Sequence, residues 1–427
     1  MIVKRASMAT AFAAATLCST SAIALNGLRP IAPSAVSRAM GGTGLALYSS
    51  SFDAVYKNPA LLTKQATDSG VSDLTLGMAI GDFRTRAKGN SGRYKSDWVY
   101  PSGDTTGVFP SGFGFGYKAS DDINLGFGFY GGGGGADYSG QEPVLGAKSN
   151  VIAFSGVAGA GVPITPQLSV GLGLWATSVS VEATSENFSG KGPRNETGGK
   201  ATVYGVSAGA SYKASSTLTL GAYIQPPQTA VIKDGRDYFM EERRAPGDRD
   251  NVLFTATPFE AALGLAYRAS PKILTSVDAR FLRWSEAQFL KELGWEDQAV
   301  IAMGLAYNLD QDNLIRVGYN YGNRPAPDVK MEEGQDLIAF QGHPLPKLAA
   351  SAISSIAAFG LTQHHYTLGS SHKIKSNLLL DTSVTHMAKE SITRNGTSFR
   401  RSGPPDQYGW TGEFQATIVQ LEMRLTF

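Results

Sequence analysis

The sequence predicts an all-β fold: an antiparallel transmembrane β-barrel of about 14 strands with an amino-terminal plug in its lumen. Three observations carry this prediction. Alternating apolar and polar segments recur along the chain, the links between them are alternately short and long, and no long apolar run follows the first residues. Alternation alone leaves a soluble sheet open, because half-buried soluble strands alternate too.

Composition favours the barrel over other classes of similar length. A chain of 427 residues could form two or three soluble domains. Its 50 glycines and 10% aromatic residues accompany a mean hydropathy of only −0.12. A helical membrane protein needs long apolar runs, whereas a barrel distributes its apolar residues by alternation. The net charge of +2 gives no indication of a nucleic-acid partner.

The amino terminus has the pattern of a secretory signal peptide. Lys4 and Arg5 precede a short apolar stretch over 8–17, and small residues follow, which predicts a signal peptide over 1–24. Cys18 is the one cysteine of the sequence. It leaves with the signal, so the mature chain is expected to contain neither a disulfide nor a catalytic thiol.

Fourteen segments alternate with the period of two that places successive side chains on opposite strand faces. They cover 71–82, 109–118, 123–130, 151–162, 168–183, 201–213, 217–225, 252–268, 272–284, 298–309, 313–322, 356–370, 377–387 and 412–427.

The links strengthen this interpretation. Short links rich in turn residues occupy 119–122, 163–167, 214–216, 269–271, 310–312 and 371–376. Long polar links occupy 83–108, 131–150, 184–200, 226–251, 285–297, 323–355 and 388–411. Outer-membrane barrels have short periplasmic turns and long external loops, so we expect both termini in the periplasm of a bacterial outer-membrane protein.

The last strand fits a closing barrel strand. Its apolar face consists of Val419, Leu421, Met423, Leu425 and Phe427, and its polar face of Gln420, Glu422, Arg424 and Thr426. The first face is expected to meet lipid and the second the lumen. The terminal Phe427 strand predicts the barrel-assembly machinery as a partner.

The first mature residues, 25–65, do not alternate and are predicted to form a plug, here called the hatch, ahead of a barrel over 66–427. Glycine at Gly41, Gly42 and Gly44 permits backbone turns closed to other residues. A barrel of about fourteen strands has room in its lumen for such a segment.

Several motifs together resemble the FadL/OmpP1/TodX family of outer-membrane transporters for long-chain fatty acids and aromatic hydrocarbons. They are Leu25-Asn26, the run over 38–44, Asn58-Pro59-Ala60, Arg283-Trp284-Ser285, the run over 318–321 and the run over 364–369. The resemblance implies a fourteen-stranded barrel blocked by its hatch, with Asn58, Pro59 and Ala60 at the family's Asn-Pro-Ala position. It also implies an inward kink of the third strand that leaves a lateral exit in the wall.

Five consecutive glycines, Gly131, Gly132, Gly133, Gly134 and Gly135, follow the predicted third strand. One interpretation is an external loop, since glycine weakens a strand ladder. The other is that the run shapes the lateral exit, because glycine tolerates a sharp bend.

Alternation places Arg316, Arg280 and Trp284 in the lumen, since a charge facing lipid would cost about 2–4 kcal/mol. Two roles stay open for them. They pair with other charges of the wall and hatch, or an arginine contacts a substrate carboxylate, which its forked guanidinium fits.

The sequence predicts no enzyme. Its histidines form no metal signature, no nucleophile motif is present, and no cofactor is expected. The expected partners are a hydrophobic small molecule, outer-membrane lipid and lipopolysaccharide, with no nucleic acid, and the chain is expected to be a monomer. The leading hypothesis is a hatch-gated passive channel for hydrophobic molecules with a lateral exit. The alternatives are a structural or secretion-associated barrel and a water-filled porin for polar solutes.

Overall fold

The computed structural model describes residues 25–65, 70–91, 94–101, 105–137, 148–185, 195–237, 249–326, 329–330, 337–340, 343–346, 362–398 and 406–427. The predicted signal peptide lies outside the described residues. Within them, no helix has both the length and the hydropathy needed to cross a bilayer.

Fourteen antiparallel strands close into one barrel, which confirms the predicted fold class. In chain order they are β1 (Gly70–Ser91), β2 (Thr105–Lys118), β3 (Asn124–Asp137), β4 (Lys148–Pro163), β5 (Leu168–Ser185), β6 (Asn195–Lys213), β7 (Leu218–Gln225), β8 (Phe259–Arg268), β9 (Ile273–Arg283), β10 (Gln298–Asn308), β11 (Asn313–Gly322), β12 (His364–Lys375), β13 (Leu378–Ser398) and β14 (Asp406–Thr426). Each strand pairs with the next, and β14 pairs with β1.

Several strands extend beyond the predicted bounds into segments expected to be links. β1 continues to Ser91, β3 to Asp137 and β13 to Ser398. Alternation marks the lipid-facing part of a strand, but backbone pairing continues past the apolar band wherever two neighbours stay in register.

Additional strands extend the wall on the side of the long links. Tyr94–Pro101 pairs with the outer end of β1, and Gln228–Asp237 pairs with Arg249–Thr257. The second pair continues β7 and β8 past Pro226, Pro227 and Pro258, residues that lack the N–H needed for a continuous ladder. A hairpin of Leu337–Phe340 and His343–Pro346 and the pair Val329–Lys330 complete the described strands.

The two faces of the wall differ as expected for a transmembrane barrel. On β14, Leu421 and Met423 are about half exposed, whereas Gln420 and Glu422 are buried in the lumen. The same division recurs on β11, where Val317 faces outward. Because the outward residues are apolar and contiguous, the outer surface suits a lipid environment.

The hatch fills the lumen with two short α-helices, α1 (Ala35–Ala39) and α2 (Ser51–Lys57), and a 3₁₀ helix (Pro59–Lys64). Each begins at a residue whose side chain accepts a backbone N–H: Ser34, Ser50 and Asn58. Nearly all described hatch residues are buried against the inward faces of the wall strands.

Candidate functional site

The Asn58-Pro59-Ala60 motif joins the hatch to the wall. The Asn58 amide donates to the carbonyl oxygens of Leu45, at 2.7 Å, and Ala210 on β6, at 2.9 Å. The following turn lies directly against Gly171 of β5, where any side chain would overlap the Pro59 and Ala60 backbone. Glycine in the wall therefore makes room for this motif.

The glycine turn of the hatch contacts the opposite part of the wall. Gly41 and Gly42 have φ of +71° and +88°, in the left-handed region that glycine enters without strain. The Gly41 N–H donates to the Thr367 hydroxyl at 3.1 Å, and its carbonyl accepts from the Asn320 amide at 3.0 Å. The Gly44 N–H donates to the Asp278 carboxylate at 2.8 Å. The turn is thus bonded to three wall strands.

Two further wall carboxylates accept hydrogen bonds from the hatch backbone. The Ala35 N–H donates to Glu422 on β14 at 2.9 Å, and the Ser51 N–H donates to Asp73 on β1 at 3.0 Å. Both amides belong to the first turn of a hatch helix, where a negative charge is favourable. The wall therefore holds the two helices by their amino ends.

A buried ionic cluster connects the beginning of the hatch to the wall. The guanidinium of Arg29 donates to Glu260 of β8 at 3.1 Å and to Gln225 of β7 at 2.8 Å. Arg280 of β9 donates to the other oxygen of Glu260 at 2.8 Å. Arg29 also donates to the Tyr130 hydroxyl of β3 at 3.4 Å. One hatch residue thereby contacts both sides of the lumen.

Aromatic rings enclose this arginine. The Arg29 guanidinium lies 4.9 Å from the ring centre of Tyr56 and 5.2 Å from that of Trp175. Tyr56 meets Tyr130 edge to face at 4.6 Å. A buried cation between ring faces gains cation–π attraction in addition to its ion pair, so Arg29 is held tightly in this state of the hatch.

Lys57, at the end of α2, is buried within the hatch. Its ammonium donates to the carbonyl oxygens of Ile31 and Gly42, each at 2.5 Å. Burial, followed by the nearby positive charge of Arg280, lowers the pKa of Lys57 to about 7. A hatch movement that exposed Lys57 to water would restore its ordinary pKa. Such a movement would therefore take up a proton between pH 7 and pH 10.

The three predicted lumen residues divide between two places. Arg280 belongs to the Arg29 cluster, and Trp284 lies just beyond it, with its indole N–H donating to Gln298 at 3.3 Å. Arg316 belongs to a separate group, where it donates to the Ser371 hydroxyl at 2.6 Å and lies 4.0 Å from Asp381. Both arginines thus have acidic neighbours in the wall. These contacts agree with charge pairing and leave the substrate role a prediction.

An apolar cluster fills the lumen on the side of the long links; we call it the outer apolar cluster. It includes Phe254, Trp284, Phe289, Leu290, Leu293 and Trp295, with Leu28 of the hatch packed against it. Trp284 and Trp295 meet edge to face at 5.3 Å. Sequence reasoning missed most of this cluster, because the 285–297 link was judged polar as a whole. Its signal was the apolar spacing at Phe289, Leu290 and Leu293.

The five glycines lie in strand β3, where Gly131 to Gly135 pair in register with Phe154 to Asn150 of β4. On the other side of β3, the ladder to β2 ends at Phe129 and Phe113. Beyond this point, residues 105–112 of β2 pair with β1, and residues 130–137 of β3 pair with β4. Among the described residues, these two segments do not pair with each other. We call this interruption the seam.

The irregularity that ends the ladder lies in β2. Gly77 of β1 pairs with Gly112 and Met78 pairs with Pro110, so Ser111 is an extra, bulged residue. Gly112 has φ of +153°, and a proline lacks the N–H for a second ladder. A bulge bends its strand and disrupts pairing locally. Along β3 the ladder to β4 has no register shift.

No protein-family model and no curated protein matches the chain. Solved structures do. The crystal structure of a Pseudomonas aeruginosa FadL homologue is 12% identical, with a TM-score of 0.68 over 94% of this chain and 100% of its own. The P. putida toluene transporter TodX is 15% identical, with a TM-score of 0.59 over 92% and 97%.

This is the FadL and TodX fold. The CymD monoaromatic hydrocarbon channel shares it, at 14% identity and a TM-score of 0.58, over 95% of this chain and 99% of its own. At these identities the likeness establishes the architecture, and the roles of individual residues rest on the geometry described above.

Proposed function

We propose that this protein is a passive outer-membrane channel that takes up hydrophobic small molecules, either long-chain fatty acids or aromatic hydrocarbons, and releases them sideways through its wall. One observation carries the proposal. The lumen is occupied by the hatch, while the wall ladder is interrupted between β2 and β3. A solute that cannot pass straight through the lumen has an exit at the seam. The fold shared with transporters of toluene and monoaromatic hydrocarbons supports the substrate class.

The height of the seam suits release into lipid. The six ladder residues from Phe113 to Lys118 separate it from the short turn. At about 3.3 Å per residue and a tilt of about 40°, they rise about 15 Å. The apolar band of such a barrel is about 25 Å tall. The seam therefore begins near the middle of the band, where an apolar solute would leave without entering water.

The outer apolar cluster suits entry. It lies on the side of the long links, and Leu28 of the hatch packs against it. A hydrophobic solute entering this cluster would compete with Leu28 for the same surface. Arg29 is the next residue, and it lies over the Tyr56 ring, which packs against the Tyr130 ring beside the seam. Solute binding and seam opening would then be linked through two adjacent hatch residues.

Deleting residues 25–65 tests the role of the hatch. In planar bilayers the full mature chain should show little steady conductance, because its lumen is occupied. The deletion variant should conduct at least about tenfold more, since a barrel of this size is wide enough for a channel. Equal conductance of both proteins would contradict the proposal, and a large conductance of the full chain would indicate a porin. Co-purification of a stable protein partner without any uptake defect would indicate a structural barrel.

The same recordings test the protonation of Lys57. Because its pKa is about 7 in the closed hatch and near its ordinary value when exposed, rising pH between 7 and 10 stabilises the closed state. Opening events should be about fiftyfold rarer at pH 9 than at pH 7. In a Lys57→Met variant this difference should disappear. The same pH dependence in the variant would exclude Lys57 as its source.

A further inference from the structure

A row of phenylalanine rings crosses the lipid-facing surface where the β2–β3 ladder ends. Phe113 and Phe129 form the last ladder pair, and their rings stack at 5.6 Å. Phe129 in turn stacks on Phe154 of β4 at 6.0 Å, with the ring planes 7° apart. The row therefore spans three strands directly beneath the seam.

Phe154 extends from this row over β3 at the level where the seam begins. Its backbone pairs with Gly131, the first outward-facing seam residue of β3. A Cβ atom at Gly131 would lie only 2.7 Å from Phe154 Cε1. The phenyl ring thus occupies the space in which a side chain of residue 131 would stand. Phe154 is 40% exposed, so its ring can turn away into lipid without crossing packed protein.

A second ring lies on the lumenal side at the same level. Phe52 of α2 is buried, and its ring fills the space that side chains at Gly112, Gly114 and Gly128 would take. Gly112 and Gly114 belong to β2 and Gly128 belongs to β3, and all three lie within one residue of the last ladder pair. At the lower end of the seam, one phenyl ring therefore lies inside the wall and one lies on its outer face, over β3.

We propose that Phe154 is the outer lid of the lateral exit and sets the width of the molecule that leaves through it. Phe52 closes the inner side and moves with the hatch, whereas Phe154 belongs to the wall and moves by side-chain rotation alone. A single aromatic ring or an alkyl chain passes with a small rotation of Phe154. A fused two-ring molecule requires the Phe154 ring to leave the seam completely. This inference rests on the proposed function, because it presumes lateral exit.

The test measures initial uptake of labelled toluene, naphthalene and oleate by cells in which this protein is the only channel of its kind. In Phe154→Ala, the ratio of naphthalene to toluene uptake should rise about threefold or more, since a pocket that gains the volume of a ring loses its discrimination by size. In Phe154→Trp, the ratio should fall. The matched control is Phe281→Ala, because Phe281 is an equally exposed phenylalanine (42%) on the outer face of β9.

The outcomes separate the lid from the function on which it depends. If the wild type takes up the probes but the ratio of naphthalene to toluene uptake is the same in Phe154→Ala and Phe281→Ala, the lid is overturned and the proposed channel function stands. The lid is also overturned if the wild type takes up only oleate and Phe154→Ala still takes up neither toluene nor naphthalene. No uptake of any probe by the wild type overturns the proposed function and the lid together. Heat-modifiable gel mobility confirms that each variant forms a barrel, and Phe154→Leu replaces the alanine variant if that one does not assemble.

Discussion

Two strand junctions of the same barrel differ in continuity. At the closing junction, β14 pairs with β1 from Thr426 and Asp73 to Tyr408 and Ser91 without a register shift. At the second junction, the ladder between β2 and β3 stops at Phe113 and leaves the seam. Both junctions have apolar residues outside and small or polar residues inside, so alternation does not distinguish them.

The difference comes from one extra residue and one proline. Ser111 is bulged and Pro110 follows it toward the outside, whereas β14 contains neither a bulge against β1 nor a proline. A continuous ladder fixes the wall, and an interrupted one leaves an opening at low cost because the outer neighbours β1 and β4 hold both edges. Continuity of pairing, more than side-chain chemistry, thus separates the closed junction from the interrupted one.

Leu421→Pro should have the largest effect, because it imposes an interruption on the closing junction. Leu421 pairs with both Thr382 and Met78, so its N–H lies within the sheet. Proline cannot donate to the ladder and occurs in sheets essentially only at edge strands and bulges. The folded fraction, measured by heat-modifiable mobility, should fall by more than about tenfold. Leu421→Val is the control, and wild-type assembly of the proline variant would show that the closing junction tolerates interruption.

Removing the bulge should make the second junction resemble the closing one. Deletion of Ser111 together with Pro110→Val restores two-residue alternation and an N–H, so β2 and β3 can pair beyond Phe113. Uptake of a hydrophobic probe should fall by about tenfold while the barrel still assembles. Ser111→Ala keeps the bulge and serves as the control. Unchanged uptake after the deletion would show that the exit lies elsewhere.

Valine in place of Gly131–Gly133 should narrow the seam without restoring the ladder. The new side chains must displace the Phe154 ring on the outside and fill the opening, so uptake should fall by about threefold. Gly156→Val is the matched control, because a Cβ there meets no atom closer than 4.0 Å. An equal loss in Gly156→Val would assign the effect to general strain in β3 and β4.

Tyr130→Phe should have the smallest effect. It removes the hydroxyl that accepts from Arg29 at 3.4 Å, a long hydrogen bond that contributes little. The ring and its contact with Tyr56 are kept, so uptake should change by less than about twofold. A larger change would show that the hatch controls the seam through the hydrogen bond between Arg29 and Tyr130.

Much of the architecture could be predicted because period-two alternation survives wherever one strand face meets lipid. The strand number and the facing of Arg316 and Arg280 follow from that constraint, and the alternation of short and long links follows from the up-and-down order of the strands. The ends of the strands could not be predicted in this way, since strands such as β13 continue beyond the apolar band, in this case to Ser398. Most of the outer apolar cluster was missed because it joins the apolar residues of the 285–297 link, Phe289, Leu290 and Leu293, to wall residues that are distant in the chain.

Within the site, the sequence drew attention to Asn58 and the Gly41–Gly44 turn, whose special backbone requirements are visible as residue types. It drew attention to the glycine run for a related reason, yet the irregularity lies at Ser111, a residue with no distinguishing feature in the sequence. Arg29 and Glu260 meet across 231 positions of the chain, and no local pattern links them.

The sequence by itself determined a lipid-facing barrel of about fourteen strands and its strand facing, because contact with the membrane imposes a local, periodic demand on every strand. Only the tertiary structure decided where the wall ladder is interrupted, that Glu260 and Gln225 hold Arg29 of the hatch, and that the Phe154 ring lies over Gly131. Those features depend on register between strands and on contacts across the lumen, and such long-range pairings leave no period in the chain.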